Sequence, residues 1–207
     1  MILRVLKVVR KDTLISVVTA VATPHNRKAP FSIVEIGVDR AGRTLTLARE
    51  AIRNRCRRIH YYAFDLFQDW STEKAKAEFC RLSPPVSVDQ FQHTIGGIVG
   101  VEYIRLIRGD VRETIDPSLA LPKLDVIWVS GGHSEETTLA CARLLPNLSA
   151  HGIAVFDNYY PDHADRGVLP VISELITTYT DFEFETSPSF DTLPSGDRVG
   201  PLKVRRR

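Results

Sequence analysis

The chain has 207 residues, of which 43% are hydrophobic and 25% charged, and its formal net charge is +2. This length and composition fit a single globular domain with a sizeable core, and the near-neutral charge gives no indication of a polyanionic partner such as nucleic acid. The three cysteines, Cys56, Cys80 and Cys141, are widely spaced and odd in number. They form neither a disulfide framework nor a zinc motif, so they fit a reducing compartment as small core residues.

Residues 1–29 predict an N-terminal helical segment that ends near Pro24, ahead of a domain over residues 30–207. The apolar run over residues 14–22 is too short to span a bilayer. Serine and threonine interrupt this run, which argues against a cleaved signal peptide although basic residues precede it. We therefore expect a cytoplasmic protein with no membrane contact.

After this segment, short apolar strands alternate with amphipathic helices. The predicted strands cover residues 31–37, 58–67, 103–110, 124–132, 152–160, 182–186 and 198–206, and the predicted helices cover residues 44–55, 71–81, 135–145 and 167–178. This alternation indicates βαβ units and therefore an α/β fold with a doubly wound, mostly parallel seven-stranded sheet. The last two strands have no helix between them, so we expect an antiparallel pair at one edge. Residues 82–100 contain two prolines and three glycines and predict an irregular, flexible loop over the site.

Ligands of such a sheet bind beyond the carboxyl ends of its strands. Acidic residues stand at four of the first five strand ends, which is more than strand termination requires. The candidate residues at these ends are Glu35, Gly37, Asp39, Asp65, Gly109, Asp110, Ser130, His133, Asp157 and Asn158. We expect these residues to surround one site.

The first turn, residues 37–42, is nearly a dinucleotide-binding turn, but Asp39 replaces its middle glycine. A dinucleotide fold needs that glycine so that the backbone can approach a pyrophosphate. A carboxylate there would repel phosphate, whereas a cofactor with a sulfonium cation, an amino group and a ribose would not be repelled. The turn therefore favours S-adenosylmethionine, and an NAD(P)-dependent oxidoreductase is the weaker alternative.

The run VEIGVDRAGRT, residues 34–44, resembles motif I of the class I S-adenosylmethionine-dependent methyltransferases and is closest to the macrocin-type and catechol-type O-methyltransferases. The resemblance extends over residues 31–160 and implies a Rossmann-like methyltransferase fold. The cofactor-binding residues that it implies are Glu35, Gly37, Asp39, Gly42, Thr44, Asp65, Asp110 and Ser130. In this set, Asp65 would hold the ribose hydroxyls and Asp110 would accept from the adenine amine. Alternatively, Asp65 starts a turn and Asp110 is a helix N-cap.

The ends of the fourth and fifth strands resemble the metal-binding strand ends of the cation-dependent catechol-type enzymes. In those enzymes an aspartate and an Asp-Asn pair hold a magnesium ion that lowers the pKa of the attacking hydroxyl. Asp157 and Asn158 match the pair, but Ser130 replaces the aspartate, so a bound Mg²⁺ would have one charged ligand fewer. The alternative is that Asp157 and Asn158 only turn the chain.

His133 lies three residues beyond the end of the fourth strand, where the catechol-type enzymes carry their catalytic lysine. An imidazole is suited to accept a hydroxyl proton during methyl transfer. A structural histidine is the alternative, but the two preceding glycines and the helix start at Ser134 would direct His133 into the cleft. We therefore predict that His133 is the catalytic base.

Together these residues predict an enzyme that transfers a methyl group from S-adenosylmethionine to a small-molecule hydroxyl, with Mg²⁺ assistance left open. A cofactor-binding module with lost or altered catalysis is the alternative, because Ser130, Asp39 and Ala41 depart from the family patterns. The basic runs at residues 53–58 and 203–207 lack interleaved aromatic residues and predict solvated faces and no nucleic-acid site. The closing strands and the first helix are candidate surfaces for a homo-oligomer.

Overall fold

The computed structural model describes residues 13–23, 29–67, 70–77, 86–98, 100–116, 118–165, 167–186, 190–192 and 196–207. The helices are α1 over residues 13–22, α2 (Gly42–Arg53), α3 (Thr72–Ala77), α4 (Val88–Gly96), α5 (Val111–Thr114), α6 (Glu135–Ala142) and α7 (Ile172–Thr178). The strands are β1 (Phe31–Ile36), β2 (Ile59–Asp65), β3 (Val101–Arg108), β4 (Leu124–Val129), β5 (Leu148–Tyr159), β6 (Phe182–Thr186), β7 (Asp191–Thr192) and β8 (Arg198–Arg206). The rest of the predicted N-terminal helical segment, residues 1–12 and 24–28, lies outside the described residues.

The strands form a sheet in the order β3-β2-β1-β4-β5-β8-β6, and the two-residue β7 pairs with β8. Strands β1 to β5 run parallel, whereas β8 is antiparallel to both β5 and β6. The doubly wound, mostly parallel sheet and the antiparallel pair at one edge are therefore confirmed. The antiparallel strand lies one place in from the edge, and the short β7 was not predicted.

Helices cover both faces of this sheet. All residues of β1 and β4 are buried, as expected for parallel strands between two helical layers. One apolar cluster joins α1, α2 and α4 to the sheet through residues such as Val18, Leu47 and Phe91. A second cluster joins α5, α6 and α7 to the opposite face through residues such as Val111, Cys141 and Leu175. The strand order reverses between β1 and β4, so the carboxyl ends of these two strands border the crevice where ligands bind.

Cys56 and Cys141 are buried in the two apolar clusters, as predicted, and Cys80 lies outside the described residues. In the part of the chain that the structure describes, no helix combines the length and the apolar character needed to cross a lipid bilayer.

The segment over residues 82–100 differs from the predicted irregular loop, because it contains the helix α4. A capping box starts this helix: the Gln90 amide N–H donates to Ser87 Oγ at 3.2 Å, and the Ser87 N–H donates to the Gln90 side chain at 3.1 Å. Phe91 and Ile95, one turn apart, are fully buried. The prolines and glycines at the two ends of the segment favoured a loop over the short helical spacing of its buried residues. Residues 82–85 and 99 lie outside the described residues.

Several helix ends also differ from the predicted boundaries. Helix α2 begins at Gly42 and not at residue 44, and α6 ends at Ala142 and not at residue 145. Helix α7 begins at Ile172, five residues later than predicted. Short 3₁₀ turns follow α6 at Leu145–Asn147 and precede α7 at Leu169–Val171. Each of these turns contains a proline, which has no N–H to continue an α-helical ladder.

Substitution of Phe91 tests whether α4 is an integral layer of the fold. The Phe91 ring packs against Phe67 at 6.1 Å and Tyr61 at 6.4 Å between centroids. We expect Phe91→Ala to lower the free energy of unfolding by about 3–5 kcal/mol in urea denaturation, because it leaves a cavity in the core. The control is Ile176→Ala, whose side chain is exposed on α7, with an expected loss of less than about 1 kcal/mol. Equal, small losses in both variants would mean that the segment is the loosely attached loop that the sequence indicated.

Candidate active site

The β1–α2 turn lies against the loop that follows β4. Gly37, Asp39 and Ala41 all adopt left-handed backbone conformations, with φ of 81°, 47° and 56°. A Cβ added to Gly37 would lie 2.5 Å from Gly131 Cα, so the two loops pack backbone against backbone. Glycine is required at this close approach, which closes the base of the crevice between β1 and β4.

Gly42 begins α2 at the rim of this turn. A Cβ added there would meet none of the described atoms within 4 Å. The preceding residue, Ala41, provides no side-chain cap for the helix. The first turn of α2 therefore borders open space among the described residues, which is compatible with the predicted cofactor contact of Gly42.

Glu35, at the end of β1, is a fully buried carboxylate. Thr44 Oγ1 donates to Glu35 Oε2 at 2.5 Å, and the Tyr61 hydroxyl donates to the same oxygen at 2.6 Å. Arg43 Nη1 lies 3.7 Å from Glu35 Oε1. The structure thus places Glu35 and Thr44 beneath the turn, where Thr44 orients the carboxylate. Their predicted contacts with a cofactor remain predictions.

Burial raises the pKa of Glu35 above its ordinary value, and this effect outweighs the opposing influence of the Arg43 charge and of the hydrogen bonds from Thr44 and Tyr61. Burial and the neighbouring carboxylate also raise the pKa of Tyr61 well above its ordinary value. Tyr61 therefore keeps its proton and remains a donor to Glu35.

Asp65, at the end of β2, supports the turn from the other side. Its Oδ2 accepts the Val38 N–H at 2.7 Å and the Asp39 N–H at 3.4 Å, and its Oδ1 accepts the N–H groups of Leu66 at 2.7 Å and Phe67 at 3.4 Å. Burial raises the pKa of Asp65 more than these backbone hydrogen bonds lower it. Two of the four contacts are long and weak, so each oxygen retains accepting capacity. Its role with ribose hydroxyls remains a prediction.

Asp110, after β3, is the N-cap of α5, the arrangement that its alternative interpretation describes. Its Oδ1 accepts the Arg112 N–H at 2.9 Å and Arg112 Nε–H at 3.0 Å, and its Oδ2 accepts from Arg112 Nη2 at 2.5 Å. Arg112 also pairs with Glu136 on α6 at 3.1 Å. The helix cap and an ion pair thus engage this carboxylate, and its contact with adenine remains a prediction.

Arg43, whose role was not predicted from the sequence, reaches from α2 across three strand ends. Its Nη1 donates to the Gly37 carbonyl at 3.2 Å and also to Ser130 Oγ. Ser130 Oγ in turn donates to the Gly37 carbonyl at 3.1 Å. Arg43 Nη2 lies 4.0 Å from Asp157 Oδ2. A signal was present in the sequence: a cation in the first turn of a helix opposes the helix dipole and needs a compensating partner.

Asp157 and Asn158 lie at the end of β5, and both are buried. Asn158 Nδ2 donates to the Gly132 carbonyl at 2.9 Å, which ties β5 to the loop after β4. Among the residues that the structure describes, no group of three or more histidine, cysteine or acidic side chains is placed to hold a metal ion. Ser130 supplies only a neutral hydroxyl, and it is hydrogen-bonded to the Arg43 cation. The residues that the resemblance assigns to Mg²⁺ thus provide one carboxylate and one amide oxygen, with the Arg43 cation 4.0 Å from that carboxylate, and this set fits the ion poorly.

His133 is held by the chain that follows β5. Its Nδ1 lies 2.9 Å from the Tyr160 hydroxyl, and its carbonyl accepts the Gly167 N–H at 2.6 Å. Gly167 has φ of 69°, and an added Cβ would lie 2.0 Å from the Asn158 carbonyl oxygen, so only glycine fits there. The Tyr160 contact was not predicted, because it joins residues 27 positions apart.

The fold and these strand ends together define a class I S-adenosylmethionine-dependent methyltransferase. Residues 34–159, more than half of the chain, match the model of the family described as "Methyltransferase domain", and the chain belongs to that family. This finding confirms the resemblance and sets aside the oxidoreductase alternative. No curated protein sequence matches the chain.

Solved structures of other methyltransferases have a similar fold. The O-methyltransferase NovP is 20% identical with a TM-score of 0.64, and the match covers 94% of this chain and 80% of NovP. TomG from Streptomyces achromogenes, an O-methyltransferase of tomaymycin synthesis solved in complex with S-adenosylmethionine, is 16% identical with a TM-score of 0.58, covering 96% of this chain and 80% of TomG. The 23S rRNA methyltransferase ErmE is 13% identical with a TM-score of 0.51, covering 92% of this chain and 67% of ErmE. At these identities the similarity concerns the fold alone.

The raised pKa of Glu35 predicts a specific pH dependence of stability. The unfolded carboxyl titrates near its ordinary value of 4.5 and the folded one at higher pH, so the folded state binds more protons between these two values. The free energy of unfolding therefore falls as the pH rises through this window. We expect Glu35→Gln to reduce this fall, as measured by urea denaturation between about pH 4 and pH 8, and the part that remains to come from Asp65, whose pKa is also raised by burial.

The matched control is Glu185→Gln, whose side chain is exposed on β6 and should leave the wild-type pH dependence in place. If Glu35→Gln and wild type lost stability in parallel across this range, the assignment of the raised pKa to Glu35 would be wrong.

Proposed function

We propose that the protein transfers the methyl group of S-adenosylmethionine to a hydroxyl oxygen of a small molecule, with His133 as the base. The observation that carries this proposal is the contact between His133 and Tyr160 at the carboxyl end of the sheet. Two hydrogen bonds to backbone carbonyls anchor the loop that bears His133. The Gly167 N–H donates to the His133 carbonyl, and Asn158 Nδ2 donates to the Gly132 carbonyl. Such anchoring gives an acid–base group the fixed geometry that proton transfer requires.

The chemistry of the strand ends fits the cofactor. The Asp65 carboxylate, whose oxygens retain accepting capacity, lies beside the β1–α2 turn, and Asp110 adds a second carboxylate at the next strand end. Acceptors of this kind suit an amino group, ribose hydroxyls and an exocyclic amine, whereas they would repel a pyrophosphate. When bound, S-adenosylmethionine supplies an electrophilic methyl group, whose bond to sulfur breaks as its bond to the acceptor oxygen forms.

The Tyr160 contact supports one choice of the imidazole nitrogen that acts as the base. In the proposed arrangement Nδ1 carries the proton and donates to the Tyr160 oxygen, and Nε2 is the nitrogen that accepts the proton of the acceptor hydroxyl. Tyr160 then fixes both the tautomer and the orientation of the ring, so it is a positioning residue. His133 Nε2 takes the hydroxyl proton as the oxygen attacks, which leaves an imidazolium that later returns its proton to solvent.

A small-molecule acceptor is supported by the placement of the basic residues. The run at residues 53–58 lies at the C-terminal end of α2, about 16 Å along the helix axis from its first turn at the site. Two of its arginines are paired, Arg53 with Glu50 at 3.1 Å and Arg58 with Glu102 at 2.8 Å. These charges are therefore not arranged to lead a nucleic-acid backbone into the crevice. NovP and TomG, two of the similar structures, are O-methyltransferases.

Replacing His133 tests the proposed base. With tritiated S-adenosylmethionine as donor, we expect wild type to label members of a panel of phenols, catechols and glycosides. We expect His133→Ala to lower kcat by about 10²–10⁴-fold with the affinity for S-adenosylhomocysteine unchanged, because the loss is confined to proton transfer. Tyr160→Phe should lower kcat by a smaller factor and alter the pH profile of kcat, because His133 then lacks the contact that favours one imidazole tautomer.

His151→Ala is the control, because His151 is exposed near the start of β5, at the other end of that strand from the site. Full activity in His133→Ala would refute the base assignment. Cofactor binding without labelling of any acceptor would favour the alternative of a binding module with lost catalysis. If ribosomal RNA, offered in the same assay, were the only acceptor labelled, the acceptor would be RNA and not a small molecule. The cytoplasmic location and the homo-oligomer remain predictions from the sequence.

A further inference from the structure

The guanidinium of Arg43 occupies the place where the strand ends of this site converge. Its Nη1 contacts the Gly37 carbonyl and Ser130 Oγ, and lies 3.7 Å from Glu35 Oε1. Its Nη2 lies 4.0 Å from Asp157 Oδ2. The side chain is only 20% exposed, so one cation stands between two buried carboxylates at the ends of β1 and β5.

A divalent ion has no suitable position beside this guanidinium. A metal bound to Asp157 would lie about 2.0–2.5 Å from a carboxylate oxygen, and therefore close to the positively charged Arg43. Ser130, in place of an acid, removes one negative charge from the ligand set, and its hydroxyl accepts from Arg43. Asn158 is fully buried and its Nδ2 donates to the Gly132 carbonyl, which leaves Oδ1, a neutral oxygen, as the atom that it could offer to an ion. A neutral serine beside the Arg43 cation carries the same net charge as an aspartate beside a divalent ion, and Ser130 Oγ accepts a hydrogen bond from Arg43.

We propose that Arg43 is the cation of this active site: it takes the place of a divalent metal and donates to the acceptor oxygen as that oxygen loses its proton. Its hydrogen bonds to the described residues both use Nη1. Nη2 lies beyond hydrogen-bond distance of Asp157, so its N–H groups retain capacity for the acceptor. A fixed guanidinium stabilises an oxyanion without a metal.

The part of this proposal that concerns the acceptor rests on the proposed O-methylation, whereas the part that excludes a metal does not. Mn²⁺ binding, followed by electron paramagnetic resonance, tests the second part without any turnover. We expect wild type to bind Mn²⁺ weakly or not at all. The double variant Arg43→Ser/Ser130→Asp exchanges the cation for a third oxygen ligand, and we expect it to bind Mn²⁺ at least about tenfold more tightly. Adding Asp157→Asn to the double variant should abolish this gain.

Two further variants control for misfolding and charge. Arg43→Lys keeps the positive charge and should bind Mn²⁺ as weakly as wild type. Arg49→Ser removes an exposed arginine from the same helix and should leave both Mn²⁺ binding and methyl transfer unchanged. Thermal unfolding of each variant checks that the fold is kept. Tight Mn²⁺ binding by wild type, lost in Asp157→Asn, would overturn the proposal.

Methyl transfer tests the catalytic part. We expect wild-type kcat to be the same in EDTA and in Mg²⁺. Arg43→Ala should lower kcat at least about tenfold, and added guanidinium chloride should restore part of it. If transfer proceeds in EDTA but Arg43→Ala retains full kcat, the role of Arg43 toward the acceptor is wrong while O-methylation stands. If no acceptor is methylated at all, O-methylation fails, and Mn²⁺ binding still decides which cation the site holds.

Discussion

The buried carboxylate of Glu35 is the constraint on which the site depends. A charged group without exposure must be compensated by donors and counter-charges, because its desolvation is costly. Two of its partners, Arg43 and Thr44, are consecutive residues at the start of α2, and the third, Tyr61, comes from the neighbouring strand. Because Arg43 and Thr44 must both reach Glu35, these contacts fix the path of the β1–α2 turn and the direction of α2. They also hold the Arg43 guanidinium over the ends of β4 and β5.

The other contacts of the site extend this arrangement. Asp65 binds the outer side of the turn through backbone N–H groups, and the close approach of Gly37 to Gly131 sets its distance from β4. Asn158 and Gly167 then anchor the loop that carries His133. The residues of the site thus form two groups: those that support the crevice from within the fold, and those that border the crevice. Glu35, Thr44 and Asn158 belong to the first group, whereas Arg43 and His133 belong to the second.

Periodicity was sufficient to predict the parallel sheet and its antiparallel closing pair, and the resemblance of residues 34–44 to motif I predicted the methyltransferase class, because both are local patterns. Helix α4 was missed because neighbouring prolines and glycines outweighed a capping box and two buried residues one turn apart. Arg43 and Tyr160 were missed for a different reason. Their partners lie on other strands, and a long side chain that crosses between strand ends leaves no periodic trace. The backbone contacts of Asp65 were likewise visible only in three dimensions.

In the proposed enzyme these strand ends bind S-adenosylmethionine beside a built-in cation, Arg43. Calorimetric titration of the wild-type protein with S-adenosylhomocysteine, in Mg²⁺ and in EDTA, tests it most directly. We expect saturable binding at one site per chain, with the same Kd under both conditions. Absence of binding would contradict the cofactor site, and binding that required the divalent ion would contradict the role of Arg43.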